Sequence, residues 1–166
     1  MKEIFERRSI RKYTNKPVSD KNIEELLKAA MASPSAGNQQ PWEFIVIKDA
    51  KILNEITKFH PYSQCLSEAP LAIAVCADLK KETNKGYWVQ DCAAATENIL
   101  IEAQYLGLGA VWLGIYPRED RVKGLKKILN LPEEVIPLSL VSIGHPAEKK
   151  EPSNRFKESR IHINKW

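Results

Sequence analysis

The sequence predicts a single domain of the α+β class, and three observations support this prediction. The chain has 166 residues, a length typical of one domain with one hydrophobic core. Segments with apolar residues at helical spacing alternate with shorter apolar runs, and the longest such segment covers residues 88–106. Four of the runs have the length and apolar character of strands, namely residues 44–48, 71–77, 110–115 and 138–143. We therefore expect residues 1–166 to fold as one domain.

The first third of the chain predicts three helices and one strand. Residues 1–8 are expected to form a short helix with Ile4 and Phe5 facing inward. Ser19 is a good N-cap for a second helix, and Asp49 is one for a third helix that follows the strand at 44–48. His60 precedes a proline where that third helix ends, and we interpret it as a surface residue.

The rest of the chain supplies the other strands and the longest helix. The strand at 71–77 is apolar on both faces, which predicts a central position in a sheet. Small apolar residues along helix 88–106 favour a core helix or a subunit interface. We interpret Asp91 and Glu97 on this helix as residues of its exposed face, and a role as pocket acids is the alternative. Gly114 interrupts the strand at 110–115 and indicates either a bulge or the close approach of a ligand. A helix over 118–129 then leads to the last strand.

Composition and charge restrict the class of protein. Hydrophobic residues make up 43% and charged residues 28%, which is typical of soluble globular proteins, and the net charge of +4 is too scattered to predict nucleic-acid binding. The longest apolar run, residues 69–77, is far too short to span a membrane, and no signal peptide is visible. The odd set Cys65, Cys76 and Cys92 has no CxxC spacing and is typical of reduced thiols. We expect a cytoplasmic protein that binds neither membranes nor nucleic acid.

An arginine-rich segment near the N-terminus is the first candidate binding site. Residues 7–13 read RRSIRKY and place three guanidinium groups and a hydroxyl within five positions. Arginine binds phosphate oxygens in pairs, and a hydroxyl adds a further donor. A solvated basic face is the alternative. The interleaved Ile10 and Tyr13 favour the binding site, because they would anchor the segment to a core.

A polar loop after the second helix is the other candidate site. Residues 33–42 read SPSAGNQQPW, and two prolines and a glycine prevent a helix or strand from continuing through them. Asn38 and Gln40 each carry an amide donor and acceptor, which suits a flat ring with polar edges. An ordinary surface turn remains the alternative.

Several common kinds of site have no motif in this sequence. It contains no P-loop, GxGxxG, HExxH or GxSxG motif and no cysteine–histidine cluster. Metal sites, catalytic triads and nucleotide hydrolysis are therefore disfavoured, and we name no catalytic residue and no metal.

The C-terminal segment, residues 147–166, is polar but ends in Ile161, Ile163 and Trp166. Because a disordered segment rarely ends in large apolar residues, we interpret it as an arm that packs on another surface, such as that of a partner subunit.

Four segments, taken in order, resemble the motifs of the FMN-dependent nitroreductase family. They are RRSIRKY at 7–13, SPSAGNQQPW at 33–42, GLGAVWLG at 107–114 and IGHP at 143–146. The resemblance implies a three-layer α/β/α sandwich with a mixed, mostly antiparallel sheet and a long central helix. It also implies an intertwined homodimer with two FMN sites at the interface, in which the arm 147–166 packs on the partner subunit.

The same resemblance implies how the cofactor is held. The FMN phosphate and ribityl chain would contact Arg7, Arg8, Ser9 and Arg11, and Arg11 would also reach the pyrimidine edge of the ring. Arg155 would return to the phosphate, whereas Ser153 stands where the family often has a lysine. Backbone N–H groups of Leu113 and Gly114 would lie near flavin N5 and O4. The partner subunit would supply Pro34, Ser35, Ala36, Asn38 and Gln40.

The activity implied by the resemblance is a ping-pong reaction. NADH or NADPH would give a hydride to FMN, and a small oxidised acceptor such as a nitroaromatic or a quinone would then take it. The short connections around residues 78–87 and 115–121 leave an open pocket or one covered by Tyr62, Trp88 or Tyr116. A flavin enzyme that dehalogenates its substrate or degrades flavin is an alternative, as is a non-catalytic flavin-binding or nucleic-acid-binding module.

Overall fold

A four-stranded antiparallel sheet forms the centre of the computed structural model, which describes residues 2–166. The strands are β1 (Trp42–Ile47), β2 (Leu71–Asp78), β3 (Gly109–Gly114) and β4 (Val135–Gly144), in the spatial order β1-β2-β4-β3. All three neighbouring pairs are antiparallel. The mostly antiparallel character of the predicted sheet is confirmed, whereas its mixed character was wrong, because every strand runs opposite to its neighbours. Among the described residues, parallel pairing is limited to an isolated bridge between Ser9 and Ala110.

Five α-helices accompany the sheet within residues 2–166. They are α1 (Lys2–Glu6), α2 (Asp20–Met31), α3 (Ala50–Thr57), α4 (Trp88–Tyr105) and α5 (Glu119–Leu129). Both predicted N-caps are confirmed, since the side chains of Ser19 and Asp49 accept hydrogen bonds from the backbone N–H groups of Asn22 and Lys51.

Alternate residues of β2 point to two separate cores. The side chains of Ile73 and Val75 pack with residues of α2 and α4, whereas those of Ala74 and Cys76 pack with residues of α3 and α5. Strand β2 is buried on both faces, as its continuous apolar run predicts, and helix α4 contacts all four strands. Helices therefore cover both sheet faces, and the three-layer arrangement is confirmed.

Apolar side chains near both ends of the chain are exposed. Phe5 is 73% exposed and Ile4 is also exposed, so the prediction that helix α1 turns them inward was wrong for the single chain. Helix α1 has only five residues and buries none of them. Ile161, Ile163 and Trp166 are exposed as well. In residues 2–166, none of the helices combines the length and apolar character needed to cross a membrane.

Candidate functional site

A basic pocket of about 230 Å³ brings the N-terminal arginines together with the C-terminal segment. Its lining consists of Arg7, Arg8, Ser9, Arg11, Lys150 and Arg155. The structure thus places five of the predicted phosphate-binding residues around one cavity. None of the described residues that line it is acidic.

The arginine-rich segment is held against the free edge of strand β3. The backbone N–H of Ile10 donates to the carbonyl oxygen of Ala110 at 3.0 Å, and Tyr13 forms a bridge with Pro146. Both Ile10 and Tyr13 are buried, and the Tyr13 hydroxyl donates to the carbonyl oxygen of Ile10 at 2.8 Å. A Cβ on Gly109 would lie 2.6 Å from Cγ2 of Ile10, so the glycine permits this close approach. The expected anchoring of residues 7–13 to the core is confirmed.

Two carboxylates only partly offset the cations of this pocket. Oε1 of Glu97 lies 3.4 Å from Nε of Arg7, and Oε1 of Glu148 lies 3.2 Å from Nζ of Lys150. The backbone N–H of Arg11 also donates to Glu148 at 2.6 Å, which is the main reason that the pKa of this carboxyl is lowered. Nε of Arg7 and of Arg8 is buried and has no hydrogen-bond partner. Five cations against two carboxylates leave an excess of positive charge suited to an anionic ligand.

Lys150 is a pocket residue that the sequence analysis missed. Its ammonium group donates to the carbonyl oxygen of Ser9 at 2.7 Å, across 141 positions of sequence. The only signal was the run of charged residues at 148–151, and the pattern did not distinguish the pocket lysine from the exposed Lys149 beside it.

A second cavity of about 660 Å³ adjoins the basic pocket. The two cavities share Arg11 and Lys150, and the second is also lined by Pro61, Tyr62 and Cys65. Tyr62 lines this cavity and is 72% exposed. Of the other two predicted covering residues, Trp88 is buried and packs edge-on against Tyr116, with 4.8 Å between ring centroids. Of these three residues, Tyr62 is therefore the one that lines this cavity.

Gly114 presents its backbone polar groups to the open edge of strand β3. The N–H of Ile115 donates to Leu138 of β4 at 3.1 Å, whereas the carbonyl of Ala110 accepts from Ile10 outside the sheet. Since hydrogen bonds alternate along an antiparallel strand, Gly114 points away from β4 and Leu113 points toward it. Of the two predicted backbone donors, Gly114 is the one at the open edge.

His60 and Arg121 occupy the carbonyl side of Gly114. Nε2 of His60 lies 3.0 Å from the Gly114 carbonyl oxygen, and Nη1 of Arg121 donates to the same atom at 2.8 Å. His60 is 1% exposed, so its interpretation as a surface residue was wrong. Burial lowers the pKa of this imidazole, and the nearby Arg121 lowers it further. Neither residue belongs to a sequence motif that would have identified it.

The polar loop at 33–42 is organised by Asp91 of helix α4. The two carboxylate oxygens accept from the Ala36 N–H at 2.9 Å and from Nε2 of Gln39 at 2.6 Å. Oε1 of Gln39 in turn accepts from the backbone N–H of Thr83 and of Asn84. Asp91 is 4% exposed, so the prediction of an exposed position was wrong. Its carboxylate is the buried acceptor that fixes the loop.

The predicted amide contacts of the loop do not line the basic pocket of the same chain. Asn38 and Gln40 are exposed and hydrogen-bonded to each other at 2.8 Å, and both have positive φ angles. Pro34, Ser35 and Ala36 line a separate cavity of about 390 Å³ along helix α4. Within one chain, the two candidate segments therefore line different cavities.

Comparison with known proteins identifies the family. The nitroreductase family model matches residues 4–60 and 59–145. A protein of Archaeoglobus fulgidus, provisionally described as an NADH dehydrogenase/NAD(P)H nitroreductase, is 49% identical over all of this chain and 98% of its own length.

Solved structures agree with this match. A Clostridium acetobutylicum protein, provisionally described as an NADH oxidase, is 50% identical with a TM-score of 0.96, and the match covers 99% of each chain. An FMN-dependent nitroreductase of Clostridium difficile is 30% identical with a TM-score of 0.92, covering 99% of this chain and 98% of the other. The chain belongs to the nitroreductase family.

Proposed function

We propose that this chain is an FMN-dependent oxidoreductase that takes a hydride from NADH or NADPH and passes it to a small oxidised acceptor. The observation that carries the proposal is the basic pocket, with five cations and a serine around about 230 Å³, joined to a larger cavity through Arg11 and Lys150. The family relatives described above as nitroreductases support it.

The residues present fit the cofactor. A phosphate group carries nearly two negative charges and several acceptor oxygens, which match the guanidinium groups of Arg7 and Arg8, whose buried Nε atoms have no hydrogen-bond partner. The Ser9 hydroxyl and Arg155 add donors at the same pocket. Arg11 lines both cavities, so it would lie between the phosphate and the ring.

The open edge of strand β3 would meet the ring. Bound FMN supplies hydride chemistry at its ring, which no side chain of this protein can perform. The Gly114 N–H would donate to an acceptor atom on that ring, and the cation of Arg11 would favour negative charge at the pyrimidine edge. The larger cavity, with the exposed Tyr62 at its rim, would admit the nicotinamide and then the acceptor.

Two copies of the chain would complete each site. Asn38 and Gln40 are exposed, and neither lines the basic pocket of its own chain. This supports a role for their amides in the site of a partner subunit. The exposed Phe5, Ile163 and Trp166 are the kind of side chains that a dimer interface buries. The arm 147–166 would then pack on the neighbouring subunit.

Titration with FMN tests this function directly. We expect the purified protein to sediment as a dimer, to bind one FMN per chain, and to lose its yellow colour when NADH or NADPH is added without oxygen. Adding a quinone or a nitroaromatic should restore the colour. A monomer that binds no FMN would contradict the proposal, and flavin consumed during turnover would favour a flavin-degrading enzyme.

A further inference from the structure

Two donors from different parts of the chain meet at one carbonyl oxygen on the open edge of the sheet. Arg121 of helix α5 lies 2.8 Å and His60 lies 3.0 Å from the oxygen of Gly114. Nδ1 of His60 accepts from the backbone N–H of Tyr62 at 3.3 Å, so Nε2 carries the proton that points to Gly114. The histidine thus has a fixed tautomer and a fixed direction.

The position of Gly114 connects this pair to the proposed ring site. In an antiparallel strand, the N–H and C=O of one residue point to the same side. The carbonyl of Gly114 points to Arg121, so its N–H points to the same open edge. Any group that accepts the Gly114 N–H therefore lies beside the Arg121 guanidinium.

The charge of Arg121 is left available for a ligand. Its guanidinium carbon lies 5.6 Å from the centre of the Tyr62 ring, and its Nε is buried without a hydrogen-bond partner. Across residues 2–166, no carboxylate comes within ion-pair distance of it. By contrast, the side chain of Arg118, the residue that precedes helix α5, is mostly exposed, and its Nε lies 3.7 Å from Oδ1 of Asp120. A half-buried cation without a counter-charge acts strongly on neighbouring charges.

We propose that Arg121 raises the reduction potential of bound FMN by favouring the negative charge that two-electron reduction places on the ring, and that His60 is a positioning residue, because its Nε2–H fixes the Gly114 carbonyl to which Arg121 donates. This inference rests on the proposed function, because it requires FMN at the Gly114 edge. It assigns a role to two residues outside every motif of the sequence. The Arg121 charge should therefore increase the affinity for reduced FMN more than the affinity for oxidised FMN.

The test is the midpoint potential of bound FMN, measured against reference dyes without oxygen. Replacement of Arg121 by glutamine removes the charge, and Arg121→Lys retains it. Arg118→Gln is the matched control, since it removes the same charge from the exposed residue that precedes helix α5. We expect Arg121→Gln to change the ratio of the two FMN dissociation constants about tenfold, which lowers a two-electron potential by about 30 mV. Arg121→Lys and Arg118→Gln should remain near the wild-type potential.

The outcomes separate this inference from the proposed function. If the wild-type protein binds no FMN, both fail. If it binds FMN and Arg121→Gln has the wild-type potential, only the role of Arg121 fails. Thermal unfolding checks that each variant folds. Should Arg121→Gln not fold, His60→Leu decides, because it removes one of the two donors to the Gly114 carbonyl and should lower the potential in the same direction, whereas an unchanged potential overturns the inference.

Discussion

Lys150 and Ser9 are joined by a hydrogen bond of 2.7 Å between the lysine ammonium and the serine carbonyl oxygen. This bond ties the start of the C-terminal segment to the arginine-rich segment and places a cation in the basic pocket. We expect Lys150→Met to raise the FMN dissociation constant about tenfold, equal to about 1.4 kcal/mol, because one charge-assisted contact is lost. Fluorescence titration of FMN measures this change.

Lys149→Met is the matched control for that prediction. Lys149 is exposed and lies outside the basic pocket, yet its replacement changes the net charge by the same amount. We expect it to leave FMN affinity within about twofold, since long-range effects of exposed charges are screened by salt. Equal weakening by both replacements would mean that Lys150 acts only through net charge.

Asp91 should be a major determinant of loop stability. Its carboxylate accepts from Ala36 and Gln39 in a nearly buried position, so Asp91→Ala leaves two donors without a partner. We expect the free energy of unfolding to fall by about 1–3 kcal/mol. Urea unfolding measures this loss, with Asp120→Ala as an exposed control. In limited proteolysis, the first cleavage of Asp91→Ala should fall within residues 33–42. A cleavage pattern like that of the wild type would contradict the role of Asp91 in fixing the loop.

We expect the buried His60 to make the free energy of unfolding depend on pH. Burial lowers the pKa of its imidazole below the ordinary value of 6.5, and Arg121 adds to this effect. Below pH 6.5 the imidazole takes up a proton more readily in the unfolded chain than in the folded chain. Protonation therefore favours the unfolded state, and the stability contributed by neutral His60 is lost as the pH falls. Urea unfolding between pH 7.5 and 5.5 should show a smaller decrease for His60→Gln than for wild type. Parallel curves for the two proteins would assign the decrease to other groups.

Local signals in the sequence were enough for most of the fold. The continuous apolar run of β2 predicts its burial on both faces, and Ser19 and Asp49 predict the starts of two helices. These features depend on residues close together in sequence. The sheet was harder to predict, because strand direction depends on how distant segments pair. The mixed sheet was expected by family resemblance, and the chain forms an antiparallel one.

The candidate site shows the same division between local and distant contacts. Arg7, Arg8 and Arg11 lie within five positions of the sequence and could be recognised as an anion-binding group. Lys150 could not, since its contact with Ser9 spans 141 positions. Asp91 and His60 were placed on the surface by sequence, because an isolated polar residue carries no information about the hydrogen-bond partners that surround it in the fold. Each is buried by partners from another element.

Gly109 should control how closely the arginine-rich segment approaches strand β3. A Cβ at this position would lie 2.6 Å from Cγ2 and 2.9 Å from Cβ of Ile10, which is closer than side chains pack. Because the Ile10 N–H is bonded to Ala110, Gly109→Ala must displace the backbone that carries Ser9 and its neighbouring arginines. We expect a loss of stability of about 1–3 kcal/mol from overpacking and a weaker affinity for FMN. Urea unfolding and FMN titration measure the two effects on the same variant. If Gly109→Ala has the FMN affinity of the wild type, the basic pocket does not depend on this contact. The phosphate would then be bound elsewhere, or residues 7–13 would adjust their position without losing it.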